Sequence, residues 1–249
     1  MIRIQFLNLS STLSQTDAQA IVKAIAIQVS RDFAPTWGIN ANLYLAPEGQ
    51  KTPTPGYWTI GFFDNSDQAG ALGYHDLTAD GLPLGKVFVA TTLSAGDLVS
   101  VTASHECLEM LADPDINLTA EFDDAQGNPA KFYAYEVCDA CEDDSFGYDI
   151  AVGKGTVRVS DFVTPAYFEQ FRNANPTIFD MFNHITAPFQ ILSGGYMGVL
   201  DLANLGQGWQ QVTASKAAHN LVNSRANIGS RRERRRTPRH MWQKSTYKT

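Results

Sequence analysis

The first ninety residues alternate between strand-like and helix-like patterns of hydrophobic positions. Residues 2–8 alternate well enough to predict a strand. Thr16 and Gln19 match a capping box, and the apolar positions after them recur at helical spacing. We expect this helix to end at Ala34-Pro35, because a residue before proline disfavours the helical conformation. Three more strands are predicted over residues 39–45, 57–63 and 86–90, and the glycine-broken residues 70–75 suit a sheet edge.

Residues 96–112 predict a long helix that is apolar on most of its sides. A helix of this kind is normally buried in the core of a domain. His105, Glu106 and Glu109 break the pattern, since ionisable side chains are costly to bury without partners. This mismatch is the main functional signal in the sequence.

The second half of the chain has a less regular pattern. Residues 113–149 contain eleven acidic side chains and one basic side chain. The further expectations are a strand or helix entry at 132–137, a hairpin of 149–152 with 156–159, short helices at 165–171 and 177–184, and strand and turn at 191–200. The fold class predicted is α/β (α+β): a twisted mixed sheet with two packed helices and an irregular C-terminal half.

The charge divides the chain into an acidic body, residues 1–215, and a basic C-terminal tail, residues 216–249. The tail carries ten Lys or Arg and one acidic residue, which leaves a net charge of −16 on the rest of the chain. We expect the tail to anchor the protein on nucleic acid, without sequence preference, or on an acidic surface of a neighbouring subunit. The proposed anchor residues are Arg231, Arg232, Arg234, Arg235 and Arg236.

The sequence predicts neither a membrane span nor an export signal. It contains no apolar stretch near the roughly 20 residues that a span requires, and its N-terminus lacks a signal-peptide pattern. We therefore expect no membrane partner and a location in the cytoplasm or within a virion. The three cysteines, Cys107, Cys138 and Cys141, do not form a disulfide framework and are expected to be small buried residues, with a pair or a shared metal at Cys138 and Cys141 as the alternative.

The spacing of the charged side chains in the buried helix favours a metal site. His105 and Glu109 are four residues apart and face the same side of a helix. Glu106 lies a step further round, where a carboxylate can reach water beside the ion. Since zinc lowers the pKa of such water, Glu106 is the predicted general base.

The segment from His105 to Glu109 resembles the HExxH helix of zincin metallopeptidases, with Glu in place of the second His. The order of elements over about residues 15–140 is also similar to that family. The resemblance to its gluzincin branch implies Glu136 as the third ligand and Asp139 as the residue that orients His105. The helix with its following Asp-Pro is similar, too, to uncharacterised bacterial and bacteriophage proteins.

The resemblance implies zinc as cofactor and a peptide or protein as substrate. Because Glu109 makes the site more negative than a two-histidine site, manganese or calcium is also possible. An extended peptide would add along the sheet edge at Leu72, Gly73 and Tyr74. Tyr148 is a candidate to stabilise an oxyanion, and so is Tyr135, although packing is the alternative for both.

The sequence is compatible with three classes of function. The protein is a metal-dependent hydrolase, or a non-catalytic structural subunit of a large assembly such as a bacteriophage virion; a nucleic-acid-binding protein is a third option. His75 is expected at the surface or in a turn, with a place in the cleft as the alternative, and His184 in the core. The acidic loop at residues 123–128 is expected to be exposed, and a calcium site there or at residues 142–144 is the alternative.

Overall fold

The computed structural model describes residues 1–173 and 176–214. The described strands are β1 Ile2–Asn8, β2 Ala41–Leu45, β3 Trp58–Phe63, β4 Gly73–Leu77, β5 Pro83–Phe88, β6 Thr119–Asp123, β7 Pro129–Ala134, β8 Tyr148–Val152, β9 Gly155–Val159, β10 Tyr196–Asp201 and β11 Trp209–Thr213. The α-helices are α1 Gln15–Gln28, α2 Ala34–Trp37, α3 Val89–Ala95 and α4 Val99–Ala112. A π-helical turn, Val29–Phe33, joins α1 to α2, and 3₁₀ turns cover Asp139–Cys141, Pro165–Phe168 and Leu202–Gln207.

A five-stranded mixed sheet forms the N-terminal half, with strand order β2-β1-β3-β5-β4. The first four of these strands run parallel, whereas β4 pairs antiparallel with β5 and lies at the edge. The parallel strands β3 and β5 are buried along most of their length, as strands covered on both faces are. The predicted α+β class and the edge position of Gly73 and Tyr74 are therefore confirmed.

The first helix differs from its prediction at both ends. Its N-cap is Ser14, whose hydroxyl accepts the Asp17 N–H at 3.0 Å and donates to the Asp17 carboxylate at 2.6 Å, so the capping pair does not involve Thr16. Ala34-Pro35 does not end the helix. The π-helical turn leads into α2, where Pro35 occupies the first turn, a position that needs no N–H bond, and Gly38 ends the segment at φ +71°.

The predicted buried helix is α4, and it packs against β4, β5 and β9. The Leu98 N–H at its start donates to the Asp144 carboxylate at 2.7 Å. Within the helix, the Ser104 hydroxyl accepts the Ser160 N–H at 2.6 Å, which ties α4 to the end of β9. These contacts fix the helix that carries three of the predicted site residues.

The second half contains a four-stranded sheet of order β11-β10-β7-β6 and the hairpin β8-β9. The hairpin across Gly153 to Gly155 is confirmed. The short helix predicted over residues 177–184 is wrong: this segment is a turn with one β-bridge, Val163 to Asp180. The helix predicted from Pro165 is a single 3₁₀ turn.

Two further expectations concerned a membrane span and the basic tail. Among the described residues, no helix has the length and apolar character needed to cross a membrane. The proposed anchor in the tail, from Arg231 to Arg236, lies outside the described residues.

Candidate metal centre

Three separate parts of the chain bring six ionisable side chains into one buried cluster. The edge strand β4 supplies His75, and α4 supplies three residues from neighbouring turns. The loop after β7 and the 3₁₀ turn that follows supply the other two. All six are at most 5% exposed: His75, His105, Glu106, Glu109, Glu136 and Asp139.

One group of three potential ligands forms around the side chain of His105. Its Nε2 atom lies 3.2 Å from Glu109 Oε2 and 3.3 Å from Asp139 Oδ1. One ligand atom from each residue lies within 4.8 Å of the others. The helical spacing of four brings His105 and Glu109 together, as the sequence predicted, and the start of the 3₁₀ turn brings in Asp139.

A second group of three forms around His75 and shares Glu109. His75 Nδ1 lies 3.4 Å from Glu106 Oε2 and 3.7 Å from Glu109 Oε2, while its Nε2 lies 4.0 Å from Glu136 Oε2. Glu109 is held by its other oxygen, which accepts the Cys138 N–H at 3.3 Å. The two groups therefore meet at a single carboxylate.

The structure groups the expected ligands differently from the arrangement that the resemblance implied. His105, Glu109 and Glu136 were the expected trio, but Glu136 groups with His75, and Asp139 takes its place beside His105. His75 is fully buried, so its expected surface position is wrong. The alternation of side chains along β4 turns His75 towards α4, a placement that depends on strand pairing and not on local sequence.

Gly73 allows β4 to approach the helix closely. A Cβ atom at this position would lie 2.9 Å from Glu106 Cγ and 2.9 Å from Thr102 Cγ2. These separations are below normal van der Waals contact between carbon atoms. The glycine that seemed to break the strand pattern thus makes room for the Glu106 side chain.

No family model, curated protein or solved structure matches this chain. We therefore infer the function from the geometry of the cluster and from its chemistry.

The charges of the cluster act strongly on His105 and on its neighbour Glu142. Burial lowers the pKa of His105, but the Glu109 charge and the hydrogen bond with Asp139 outweigh it, so that the pKa lies well above 6.5. Burial and the nearby carboxylates raise the pKa of Glu142 to about 8. The cluster thus favours any positive charge placed in it, from a proton or from a metal ion.

The cysteines near the cluster are not candidate ligands. Cys107, Cys138 and Cys141 are free and buried. Burial raises the pKa of all three thiols, and the Glu109 charge adds to the effect at Cys138 and Cys141. None of them belongs to a group of potential metal ligands among the described residues, and the expectation of buried cysteines is confirmed.

The two candidate tyrosines have other roles. The Tyr148 hydroxyl donates to Asp32 at 2.9 Å and accepts from Gln28 Nε2 at 3.1 Å, both in the first helical segment. Tyr135 stacks on Phe168, with ring centroids 4.2 Å apart. We therefore do not retain Tyr148 as a catalytic residue.

A separate polar cluster contains Asp161, Asp180 and His184. His184 Nδ1 lies 3.2 Å from Asp161 Oδ2 and 3.3 Å from Asp180 Oδ2. Asp180 also accepts the N–H groups of His184 and Ile185. These bonds give the carboxylates a role in the turn, and His184 is exposed rather than in the core.

The acidic loops also have local roles. Asp124 accepts the N–H groups of Gln126 and Asn128 in the turn between β6 and β7, and Asp143 accepts the Ser145 N–H. Neither loop is among the groups of potential metal ligands in the described part of the chain.

Proposed function

We propose that this protein is a metal-dependent hydrolase with a zincin-like site, acting on peptides or proteins. The observation that carries the proposal is the convergence of His105, Glu109 and Asp139, with Glu106 beside them on the same helix. The first three side chains would hold the cation. Glu106 would act as the general base.

The distances within this group fit a metal ion. Ligands at about 2.1 Å from an ion lie roughly 3.0–3.5 Å from one another in octahedral or tetrahedral coordination. The separations of 3.2 and 3.3 Å within the His105 group fall in this range. A site of one imidazole and two carboxylates is suitable for zinc. It is also more suitable for manganese than a site with two histidines is.

The burial of the cluster provides a second argument. Burying several carboxylates together is costly unless a positive charge compensates them. His105 can supply such a charge by binding a proton, but a divalent cation supplies more and leaves the imidazole neutral, as a ligand must be.

A bound divalent cation would lower the pKa of a water molecule and polarise the substrate carbonyl. Glu106 would take the proton that the attacking water loses and pass it to the leaving amine nitrogen. Its side chain and that of His105 are the two most exposed members of the cluster, at 5% and 4%. Water would therefore reach the cluster from their side.

The edge strand β4 offers a position for an extended substrate. It ends the five-stranded sheet, and Gly73 lies directly against Glu106. A peptide added along Leu72 to Tyr74 would extend the sheet and lie next to the general base. The order of sheet, antiparallel edge strand and buried helix supports a zincin-like scaffold.

Two measurements on the purified full-length protein test the proposal. Elemental analysis is expected to find zinc or manganese, and the His105→Ala variant is expected to lose it in whole or in part. Glu106→Gln is expected to keep the metal and to lower hydrolysis of unfolded casein by a factor of at least about 100, the size of a general-base contribution. Glu121→Gln, an exposed change of the same kind on β6, is the control and should retain activity.

Two results would contradict the proposal in different ways. A metal-free protein would remove both the ion and the reaction. A protein that binds the metal but hydrolyses casein no faster than Glu106→Gln would instead favour the alternative, a structural subunit that uses the cation for stability.

A further inference from the structure

We propose that the cluster holds two divalent cations bridged by the Glu109 carboxylate. This inference depends on the proposed function, since it assumes that the His105 group binds metal, and it adds a second ion at His75. The juxtaposition that carries it is the pair of three-residue groups that share Glu109: His105 with Asp139 on one side and His75 with Glu136 on the other.

The same oxygen of Glu109 faces both histidines. Glu109 Oε2 lies 3.2 Å from His105 Nε2 and 3.7 Å from His75 Nδ1. Each distance is close to the spacing of about 3.0–3.5 Å expected between two ligands of one ion. A carboxylate oxygen placed between two imidazoles in this way can bridge two ions, and two-metal sites commonly have ions about 3.5–4 Å apart.

The ligands divide into two sets around Glu109. Asp139 belongs to the His105 group, and Glu136 belongs to the His75 group. Glu106 Oε2 lies 3.4 Å from His75 Nδ1, which places the general base next to the second ion position. The His105 position thus has an imidazole, the shared carboxylate and Asp139. The His75 position has Nδ1 and the shared carboxylate with Glu106 beside them, and Glu136 Oε2 lies 4.0 Å from the other ring nitrogen, Nε2.

The charge of the cluster favours two ions over one. Four carboxylates are buried together, at Glu106, Glu109, Glu136 and Asp139. With both histidines neutral, as metal ligands require, one divalent cation would leave two negative charges uncompensated in the interior. Two divalent cations would balance all four carboxylates, and buried charges are tolerated only when they are compensated.

Manganese reconstitution of the full-length protein tests this inference. After removal of bound metal by a chelator and dialysis against Mn²⁺, native mass spectrometry is expected to find two manganese ions per chain. Electron paramagnetic resonance is expected to show the exchange-coupled signal of two bridged Mn²⁺ ions, not the six-line signal of isolated ones. The spectrum is measured on the unaltered protein, so it does not depend on whether a variant folds.

Three variants locate the two ions. His75→Ala and His105→Ala are each expected to retain one ion and to show the six-line signal. His184→Ala changes a histidine of the separate Asp161–Asp180 cluster and is expected to keep two coupled ions.

The outcomes separate this inference from the proposed function. One ion per chain that is unaffected by His75→Ala would overturn the second site and leave the hydrolase proposal in place. Loss of one ion in His184→Ala, or two ions without exchange coupling, would place the second ion away from Glu109 and overturn the bridge. No bound metal at all would overturn both proposals.

Discussion

At the scale of single residues, burial distinguishes these six side chains, as a candidate site, from an acidic surface patch. His75, Glu109 and Glu136 have no exposed area, and the other three have almost none. Acidic side chains elsewhere in the chain, such as Asp124 and Asp143, accept backbone N–H groups in turns and need no ion. In the cluster, Glu109 also accepts a backbone N–H, but its other oxygen lies 3.2 Å from His105 and 3.7 Å from His75.

Gly73→Ala tests the close approach of β4 to α4. The added Cβ would meet Glu106 Cγ at 2.9 Å, so we expect a loss of about 1–3 kcal/mol in the free energy of unfolding and reduced casein hydrolysis. Urea denaturation and the casein assay measure the two effects. Gly155→Ala, where a Cβ would meet nothing within 4 Å, is the control. Equal behaviour of the two variants would contradict the role of Gly73.

Asp161→Asn tests the proton held in the separate cluster. Burial, the hydrogen bond with Asp180 and the Asp180 charge raise the pKa of Asp161 to about 8. A raised carboxyl pKa in the folded state contributes stability below the unfolded value near 4, and this contribution is lost as the pH rises towards 8. The wild-type Tm should therefore fall relative to that of Asp161→Asn over this range.

The expected size of this effect is measurable by calorimetry. Each tenfold change in proton affinity is worth about 1.4 kcal/mol, which corresponds to about 3 °C or more in the Tm of a domain of this size. Parallel Tm curves for the two proteins between pH 4 and pH 8 would show that Asp161 is not protonated in the folded state.

At the scale of elements, the sequence predicted those strands and helices that the regular spacing of hydrophobic residues determines. The strands β1 and β3, the hairpin β8-β9 and the buried helix α4 all follow from it. The sequence did not predict that the helical segment continues past Pro35. A π-helical turn and the start of a new helix accommodate the proline. Strand β6 was missed in the acidic segment, since its pairing with β7 and not its own pattern makes it a strand.

The capping residue of α1 gives an element-scale prediction. Ser14→Ala should lower the free energy of unfolding by about 1 kcal/mol, because its hydroxyl satisfies the Asp17 N–H. Thr16→Ala, the position that the sequence pattern had favoured, should cost less than half as much. Urea denaturation compares them, and a larger loss in Thr16→Ala would reverse the assignment of the cap.

At the scale of the whole molecule, the site joins parts of the chain that are far apart in sequence. The helix motif alone revealed His105, Glu106 and Glu109, and the resemblance added Glu136 and Asp139. His75 became part of the site only through the antiparallel pairing of β4 with β5 and the packing of α4 across them. No local signal around Tyr74 and Asp76 distinguishes it from a surface histidine.

A cation shared by these parts should stabilise the fold as a whole. Binding at a concentration 100-fold above the dissociation constant contributes about 2.7 kcal/mol. Chelation by EDTA should therefore lower the Tm of the wild-type protein by about 5–10 °C. Glu109→Gln, which alters the shared ligand, should respond much less to EDTA. An identical Tm of the wild-type protein with and without chelator would mean that the cluster is stable without metal.

The most direct test of the central claim is a crystal of the full-length protein grown with zinc, measured above and below the zinc absorption edge. An anomalous difference map is expected to show a peak about 2.0–2.2 Å from His105 Nε2, Glu109 Oε2 and an Asp139 carboxylate oxygen. A map with no peak among these three side chains would contradict the metal centre.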